Sequence, residues 1–255
     1  MVIPPLKRLK RIFMGNASHS LTRRFLLAAA KRLAPIQPRR ALLAAGRWLT
    51  PGQLCKLRII LGALEQGHWL NSVPIPVPNL PDRFALFTEA IHRIGGAHPL
   101  YLEFGVYRGR TLRWWSSHLT LPTARLVGFD SFMGLPEDWR FDAPRGWFDP
   151  GELPQFDDPR ISLVVGWFEQ TLPCWEPPAH DQLIVNIDCD LYASATCVLT
   201  WLDRHLLPGT LIYFDDLADR DNELRALWEW LARHGPHVIP LAMARWGQHM
   251  LFEFR

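Results

Sequence analysis

The sequence contains no long apolar run and few cysteines. No hydrophobic stretch reaches the roughly 20 residues that a membrane-spanning helix requires. The four cysteines, Cys55, Cys174, Cys189 and Cys197, show no paired short spacing, which argues against a zinc knuckle and against a disulfide framework. We therefore expect a protein of a reducing compartment, the cytoplasm.

Acidic residues are missing from the first quarter of the chain. No Asp or Glu precedes Glu65, whereas residues 1–64 hold thirteen Lys and Arg. The remaining residues, 65–255, carry 15 basic and 25 acidic side chains, a formal charge of −10. A solvated basic arm, a transit peptide and a surface-seeking amphipathic helix all have such a composition. Peripheral contact of residues 1–64 with an anionic membrane is one hypothesis, and contact with the acidic remainder is another.

Prolines divide the chain. Residues 1–70 have a basic, helical pattern that a few prolines interrupt. Residues 71–81 follow with closely spaced prolines, which exclude a helix and favour an extended connector. We therefore predict a basic helical N-terminal extension over residues 1–70, a connector over residues 71–81 and one domain over residues 82–255.

Helices and strands alternate from residue 82 onwards. Five predicted strands are apolar throughout, which favours a parallel sheet that is buried on both faces. They span residues 100–104, 125–129, 161–165, 183–187 and 211–214. Residues 133–159 lack periodicity and are predicted to form a loop or lid, and a hairpin ends the chain. This order predicts a doubly wound α/β fold, which binds ligands at the carboxyl ends of its strands.

A glycine-containing turn follows the first predicted strand in LEFGVYRG (102–109). Gly105 and Gly109 frame the turn, and glycine permits both positive φ and a close approach of ligand to backbone. The helix N-terminus beyond them attracts an anionic group such as a carboxylate. Glu103 is placed to accept hydrogen bonds from a ligand's ammonium group. A purely structural turn is the alternative.

The second and third strands also end in candidate ligand contacts. Asp130 in GFDSFMGLP (128–136) stands where an acidic residue commonly accepts hydrogen bonds from ribose hydroxyls. An Asx turn or a helix cap is the structural alternative. Gly166 in VVGWFEQTLP (164–173) ends the third strand, and Trp167 and Phe168 are candidates to flank a purine ring. Aromatic residues at such a position also pack in cores.

Four aspartates follow the fourth and fifth strands. Asp188 and Asp190 follow the fourth strand, where side chains two residues apart point the same way. Asp215 and Asp216 follow the fifth strand, and neighbouring strands lie about 4.8 Å apart. Four unpaired carboxylates repel one another, whereas a divalent cation such as Mg²⁺ takes oxygen ligands of this kind. We therefore predict a metal site; helix capping or pairing with Arg is the alternative.

The chain resembles the macrocin O-methyltransferase family over residues 82–255. Five motifs occur in that family's order and spacing: LEFGVYRG, GFDSFMGLP, VVGWFEQTLP, NIDCDLY and PGTLIYFDDL. The resemblance implies a class I methyltransferase fold, which is Rossmann-like with a mostly parallel seven-stranded sheet and an antiparallel last strand. It also implies Mg²⁺-dependent transfer of a methyl group from S-adenosylmethionine to a hydroxyl of a sugar or glycosylated metabolite.

The resemblance implies a role for each motif residue. The cofactor-binding residues would be Glu103, Gly105, Gly109, Asp130, Ser131, Gly166, Trp167, Phe168 and Asp188. The metal ligands would be Asp188, Asp215 and Asp216, and the general base would be Asp190. The sequence departs from the family pattern near the expected acceptor, since Arg110 replaces a glycine, Leu217 replaces a tyrosine and residues 192–196 lack the usual acid.

Other functions are compatible with the same residues. A catechol-type O-methyltransferase would use the predicted metal site on two adjacent hydroxyls. A non-catalytic α/β domain would bind a membrane or a partner through its basic N-terminus. A nucleic-acid methyltransferase is disfavoured, because no Asn-Pro-Pro-Tyr-like motif follows the fourth strand. We therefore expect a small-molecule or sugar acceptor and no nucleic acid, and we keep a homo-oligomer as a hypothesis.

Overall fold

The computed structural model describes residues 38–255, so the predictions for residues 1–37 lie outside it. The chain divides into two compact units between Thr50 and Pro51. The described part of the first unit contains helix α1 (Pro38–Gly46). The second unit contains the whole sheet and the candidate site described below. No helix within residues 38–255 is both long enough and apolar enough to cross a membrane.

Helix α2 (Pro51–Leu70) belongs to the second unit, whereas the sequence analysis assigns it to the extension. Gly62 packs so closely that a Cβ there would come within 2.9 Å of the Ala218 carbonyl oxygen. Gln66 is buried and donates hydrogen bonds to the carbonyl oxygens of Leu217 and Gly247, at 2.9 and 3.0 Å. The compact unit therefore begins one helix earlier than the prolines predict, because these contacts hold α2 against it.

The second unit is built on one eight-stranded sheet. Its strands, in chain order, are β1 (Asn79–Leu80), β2 (Pro99–Phe104), β3 (Arg125–Asp130), β4 (Ile161–Val165), β5 (Gln182–Ile187), β6 (Leu211–Phe214), β7 (Val238–Ala244) and β8 (His249–Phe254). Their order across the sheet is β1–β7–β8–β6–β5–β2–β3–β4. Only β8 runs antiparallel to its neighbours, β6 and β7. The predicted sheet and closing hairpin are confirmed, and β1 adds an eighth strand.

The edges of the sheet differ from the prediction. Strand β1 lies within the proline-rich segment 71–81 and pairs in parallel with β7. A two-residue strand among prolines is tolerated at a sheet edge, where few ladder hydrogen bonds are needed. At the other edge, β4 is only half-buried, with Val165 54% exposed. The prediction that all five apolar strands are covered on both faces is wrong for β4, which is an edge strand: within residues 38–255, no strand pairs with its outer side.

Helices cover both faces of the sheet. They are α3 (Arg83–His92), α4 (Arg110–His118), α5 (Phe168–Thr171), α6 (Tyr192–Leu202) and α7 (Glu223–His234). Side chains alternate along β2, so Leu102 and Phe104 enter one buried cluster and Tyr101 enters the other. Asp82 caps α3 by accepting the Ala85 N–H at 3.0 Å. The doubly wound architecture is thus confirmed, and it directs the carboxyl ends of the parallel strands toward one side.

Candidate active site

A cavity of about 630 Å³ opens at the carboxyl ends of the parallel strands. Its walls include residues that follow β2 to β6, the beginning of α3 and the loop after β3. The predicted site residues that line it are Glu103, Gly105, Asp130, Ser131, Gly166, Trp167, Phe168, Asp188, Asp190, Asp215 and Asp216. Gly109 is the exception, because it lies behind the cavity wall.

The two glycines of the turn after β2, Gly105 and Gly109, have different structural roles. Gly105 has φ +97°, and a Cβ there would come within 1.7 Å of the Asp188 carbonyl oxygen. Only glycine therefore lets the turn after β2 pass the turn after β5. Gly109 directly precedes α4 with φ +71°, and a Cβ there would come within 2.5 Å of the Phe156 ring. Gly109 therefore lets the turn pass close to Phe156, and it does not line the cavity.

Asp130 orients the glycine turn. Its Oδ2 accepts the backbone N–H groups of Val106 and Tyr107, each at 2.8 Å, and its Oδ1 accepts the Phe132 N–H at 2.8 Å. The structural alternative, a turn-forming aspartate, is therefore present. A carboxylate has about four acceptor positions, so these three bonds leave capacity for a ligand hydroxyl.

Glu103 is a buried acid in the floor of the cavity. Its Oε2 accepts the Tyr101 hydroxyl at 2.6 Å, and that hydroxyl accepts the Asn186 amide at 3.1 Å. Burial raises the pKa of Glu103 from its ordinary value of 4.5 to about 8. The Asn186 Oδ1 is buried and has no hydrogen-bond partner among the described residues. Glu103 lines the cavity, and its carboxyl group fits a cationic ligand group such as the ammonium of S-adenosylmethionine.

Aromatic residues form two parts of the wall. Trp167 and Phe168 line the cavity after β4, and the Phe168 ring also packs edge-on against Phe104 at 5.7 Å. Phe168 therefore serves both the core and the cavity. In the loop after β3, Phe148 lies 5.6 Å from the Tyr107 ring and 6.3 Å from the Trp139 ring. The predicted loop over 133–159 thus contributes an aromatic wall, and it contains no helix or strand.

Asp190 occupies an unusual backbone conformation at the cavity surface. Its φ is +60°, a value that non-glycine residues rarely adopt. Its N–H donates to Glu223 Oε1 at 2.7 Å. Burial, followed by the charges of Asp216 and Asp215, raises the pKa of Asp190 to about 7. A carboxylate with this pKa is suited to accept a proton near neutral pH.

Glu223 connects the turns after β5 and β6, and it is not among the site residues that the sequence predicts. Its carboxylate is fully buried and accepts the N–H groups of Cys189 at 2.8 Å, Asp190 at 2.7 Å and Asp216 at 3.2 Å. Burial raises its pKa well above the ordinary value. The helical spacing to Leu227 and Trp230 is the signal that could have revealed a buried acid.

Arg83 pairs with two of the four aspartates, and it too was missed. Its Nη2 donates to Asp215 Oδ2 at 2.9 Å, and its Nη1 lies 3.6 Å from Asp188 Oδ2. Asp215 Oδ1 also accepts the Tyr213 hydroxyl at 2.6 Å and lies 3.3 Å from His249 Nδ1. No local pattern marks Arg83, which is the first residue of α3 and precedes Asp215 by 132 residues.

The four aspartates converge as predicted, but their arrangement does not fit a divalent metal ion. Within residues 38–255, no three His, Cys, Asp or Glu side chains are grouped so that they could hold one. The Arg83 guanidinium is paired with Asp188 and Asp215, where the sequence analysis expects the ion. Asp188 and Asp215 are therefore paired with an arginine, which is the structural alternative to a metal site.

Part of the sequence matches a known protein domain. Residues 102–217 match a family model described as a methyltransferase domain. A curated relative is 36% identical over 61 residues, which is 24% of this chain and 23% of the relative. It is the 8-demethyl-8-(2,3-dimethoxy-alpha-L-rhamnosyl)-tetracenomycin-C 4′-O-methyltransferase of Streptomyces olivaceus. The match therefore spans only about a quarter of that relative's length.

Solved structures share the fold. The O-methyltransferase NovP has a TM-score of 0.51 at 20% identity, over 68% of this chain and 79% of its own. The calicheamicin methyltransferase CalS11 has a TM-score of 0.53 at 20% identity, over 95% of both chains. The chain therefore has the fold of class I methyltransferases, and residues 102–217 match a methyltransferase domain.

Proposed function

We propose that the protein is an S-adenosylmethionine-dependent O-methyltransferase that acts on a hydroxyl of a sugar or of a glycosylated small molecule. The observation that carries the proposal is the presence, in one cavity, of the acidic floor at Glu103 and of the carboxylate Asp190 with its pKa near 7. The rhamnosyl substrate in the name of the Streptomyces olivaceus relative supports a sugar acceptor. The five ordered motifs support a place in the macrocin O-methyltransferase family.

The residues after β2 and β3 would hold the cofactor. Glu103 would accept hydrogen bonds from the methionine ammonium, and Asp130 would accept a ribose hydroxyl with its remaining capacity. Gly105 keeps the turn after β2 close to the Asp188 carbonyl oxygen, and Trp167 would line the adenine pocket. When it is bound, the cofactor supplies a methyl group on a positively charged sulfur.

Asp190 would be the general base. It lines the cavity, and Glu223 holds its backbone by accepting its N–H. Removing the proton from the acceptor hydroxyl makes the oxygen a better nucleophile, and a base with a pKa near the working pH does this best. The other contribution of the protein is to hold the hydroxyl in line with the methyl group.

The aromatic loop would bind the acceptor. Tyr107, Trp139 and Phe148 line the cavity and lie close to one another, and aromatic rings stack on the apolar faces of sugars. Arg140 lies with its guanidinium 3.8 Å from the Trp139 ring centroid. We propose no dependence on magnesium, although the resemblance implies one, because Arg83 pairs with two of the expected ligands.

A methylation assay tests the proposal. The full chain is incubated with S-adenosylmethionine and a panel of rhamnosides, other glycosides, the matching aglycones and catechol, and products are identified by mass spectrometry. We expect methylated glycosides and unmodified aglycones. Methylation of catechol alone would contradict the sugar assignment, and calorimetry that detects no binding of S-adenosylmethionine or its demethylated product would contradict the enzyme assignment.

A further inference from the structure

The guanidinium of Arg83 connects the ends of two neighbouring strands. It donates to Asp215 after β6 at 2.9 Å and lies 3.6 Å from Asp188 after β5. The two strands are parallel and paired, so both carboxylates emerge at the same edge of the sheet. One side chain therefore partly neutralises both strand ends, at the position where carboxylates of this kind would otherwise repel one another.

The contacts of Asp215 favour the arginine over a competing cation. Asp215 accepts hydrogen bonds from Tyr213 and Arg83, and His249 Nδ1 lies 3.3 Å from its carboxylate. Burial alone would raise the pKa of Asp215, but the hydrogen bond from His249 and the charge of Arg83 lower it. A divalent ion would have to displace a guanidinium that is only 32% exposed and leave it without its partners, which is costly for a charge at such a site.

The chemical properties of arginine allow its guanidinium to take the role of a metal ion at this position. A guanidinium cannot lose its proton in a protein and carries five N–H donors in a planar fork. Arg83 lines the cavity together with Asp190. Donors that are held in place beside a reacting oxygen stabilise the negative charge that develops on it. Arg83 therefore offers the fixed positive charge and the orientation that a metal ion would otherwise provide.

We infer that Arg83 replaces a divalent metal ion in the acceptor site: it holds Asp188 and Asp215 in place and stabilises the acceptor oxygen while Asp190 takes the proton. The O–H bond would break, its proton passing to the Asp190 carboxylate and its electron pair staying on the oxygen. That oxygen would form the new bond to the methyl carbon while the carbon–sulfur bond breaks and its electron pair leaves with the sulfur, which loses its positive charge. The inference rests on the proposed function. The role of Arg83 is inferred from its ion pairs with Asp188 and Asp215.

Binding of Mn²⁺, followed by electron paramagnetic resonance, tests the inference without any need for activity. Wild-type protein is compared with Arg83→Ala and with the control Arg93→Ala. Arg93 follows the same helix and pairs at 2.8 Å with Glu89, whose side chain is 35% exposed, so its removal changes the net charge equally, away from the cavity. We expect no stoichiometric Mn²⁺ binding by wild type or control. We expect Arg83→Ala to bind Mn²⁺, because it frees Asp188 and Asp215.

Activity provides the second measurement. We expect wild-type methyl transfer to change by less than about two-fold in excess EDTA, and Arg83→Ala to lose about 100-fold, the usual effect of removing one charge-stabilising donor. Added Mn²⁺ should restore part of the activity of Arg83→Ala and leave that of wild type unchanged. Arg83→Gln, which keeps the size of the side chain, replaces the alanine variant if that variant does not fold.

Two results would overturn the inference. One is stoichiometric Mn²⁺ binding by the wild-type protein, and the other is a folded Arg83 variant that does not bind Mn²⁺. Failure of the proposed function is distinguishable from both. A protein that methylates no acceptor would still show, through its Mn²⁺ titrations, whether Arg83 excludes the ion.

Discussion

The carboxylate of Glu223 accepts the backbone N–H of Asp190 at 2.7 Å, although the Glu223 side chain is completely buried. The same carboxylate accepts the N–H groups of Cys189 and Asp216. One side chain on α7 therefore fixes the turn after β5 and the turn after β6 relative to each other. This contact accompanies the positive φ of Asp190 and sets where its carboxylate enters the cavity.

Glu223→Ala should destabilise the protein and impair the base. The substitution leaves three backbone N–H groups without their acceptor, at a cost of about 2–3 kcal/mol in the free energy of unfolding. We expect kcat to fall by at least about ten-fold, while affinity for S-adenosylmethionine changes little, because Glu103 and the glycine turn stay intact. Urea unfolding, kinetics and calorimetry measure the three quantities.

The control is Glu229→Ala on the same helix, where the side chain is 48% exposed and pairs with Arg225. A surface change of this kind should alter stability by less than about 0.5 kcal/mol. Equal effects of the two substitutions would show that the contacts of Glu223 do not organise the acidic turns.

Asp190→Asn should remove the general base and keep the fold. The base acts in its ionised form, so the kcat/KM of the wild type should rise with pH up to about 7 and then level off, following the pKa of Asp190. The variant should lose roughly 100-fold to 10,000-fold in kcat, the usual contribution of a positioned base. It should also lose the rise with pH. A variant that keeps the wild-type rate would remove the assignment of Asp190 as base.

Glu103→Gln should change how stability depends on pH. The pKa of the folded state is raised to about 8 from 4.5, so the folded protein holds the proton more tightly than the unfolded chain. In the cofactor-free wild type, the stability that this proton provides is complete below about pH 4.5 and is lost as the pH rises to about 8. Above that pH the loss is on the order of 5 kcal/mol, since one pKa unit corresponds to about 1.4 kcal/mol.

The glutamine variant should not show this loss, so it should be the more stable protein at pH 8 and have no such advantage at pH 4. It should bind S-adenosylmethionine more weakly, because the ammonium loses its carboxylate. Glu169→Gln, at an exposed position on the cavity rim, is the control for stability. Thermal unfolding at both pH values measures the difference, and parallel pH profiles for wild type and Glu103→Gln would contradict the prediction.

Gly105→Ala should cost far more than Gly146→Ala. Both glycines have positive φ, +97° and +82°, so an alanine at either site carries a strain of about 1–2 kcal/mol. At Gly146 a Cβ meets nothing within 4 Å, whereas at Gly105 it would come within 1.7 Å of the Asp188 carbonyl oxygen. We expect Gly105→Ala to exceed the cost at Gly146 by at least about 2 kcal/mol in urea unfolding. Similar costs would show that the turn can move aside.

The predicted contact of residues 1–64 with an anionic membrane stays a prediction, as does the homo-oligomer. A test of the membrane contact needs a truncation that spares α2, because Gly62 and Gln66 pack within the second unit. Deleting residues 1–37 removes basic residues without cutting that helix.

The sequence by itself determined where the parallel strands lie along the chain and at which edge of the sheet the polar motifs meet. Apolar runs that end in Glu103, Asp130, Asp188 and Asp215 are local signals, and parallel strands bring their carboxyl ends together whatever the loops contain. The predicted convergence of these residues around one cavity is therefore a consequence of chain topology, and the structure shows it.

Only the tertiary structure decided what neutralises the acidic cluster. A metal ion and an arginine are equally compatible with four aspartates in a sequence, because the partner is chosen by packing and not by spacing. Packing brings Arg83 from α3 to Asp215, 132 residues later, and brings Glu223 from α7 under the two acidic turns. Contacts between residues so far apart depend on where helices settle on the sheet, and no local pattern in the sequence encodes that position.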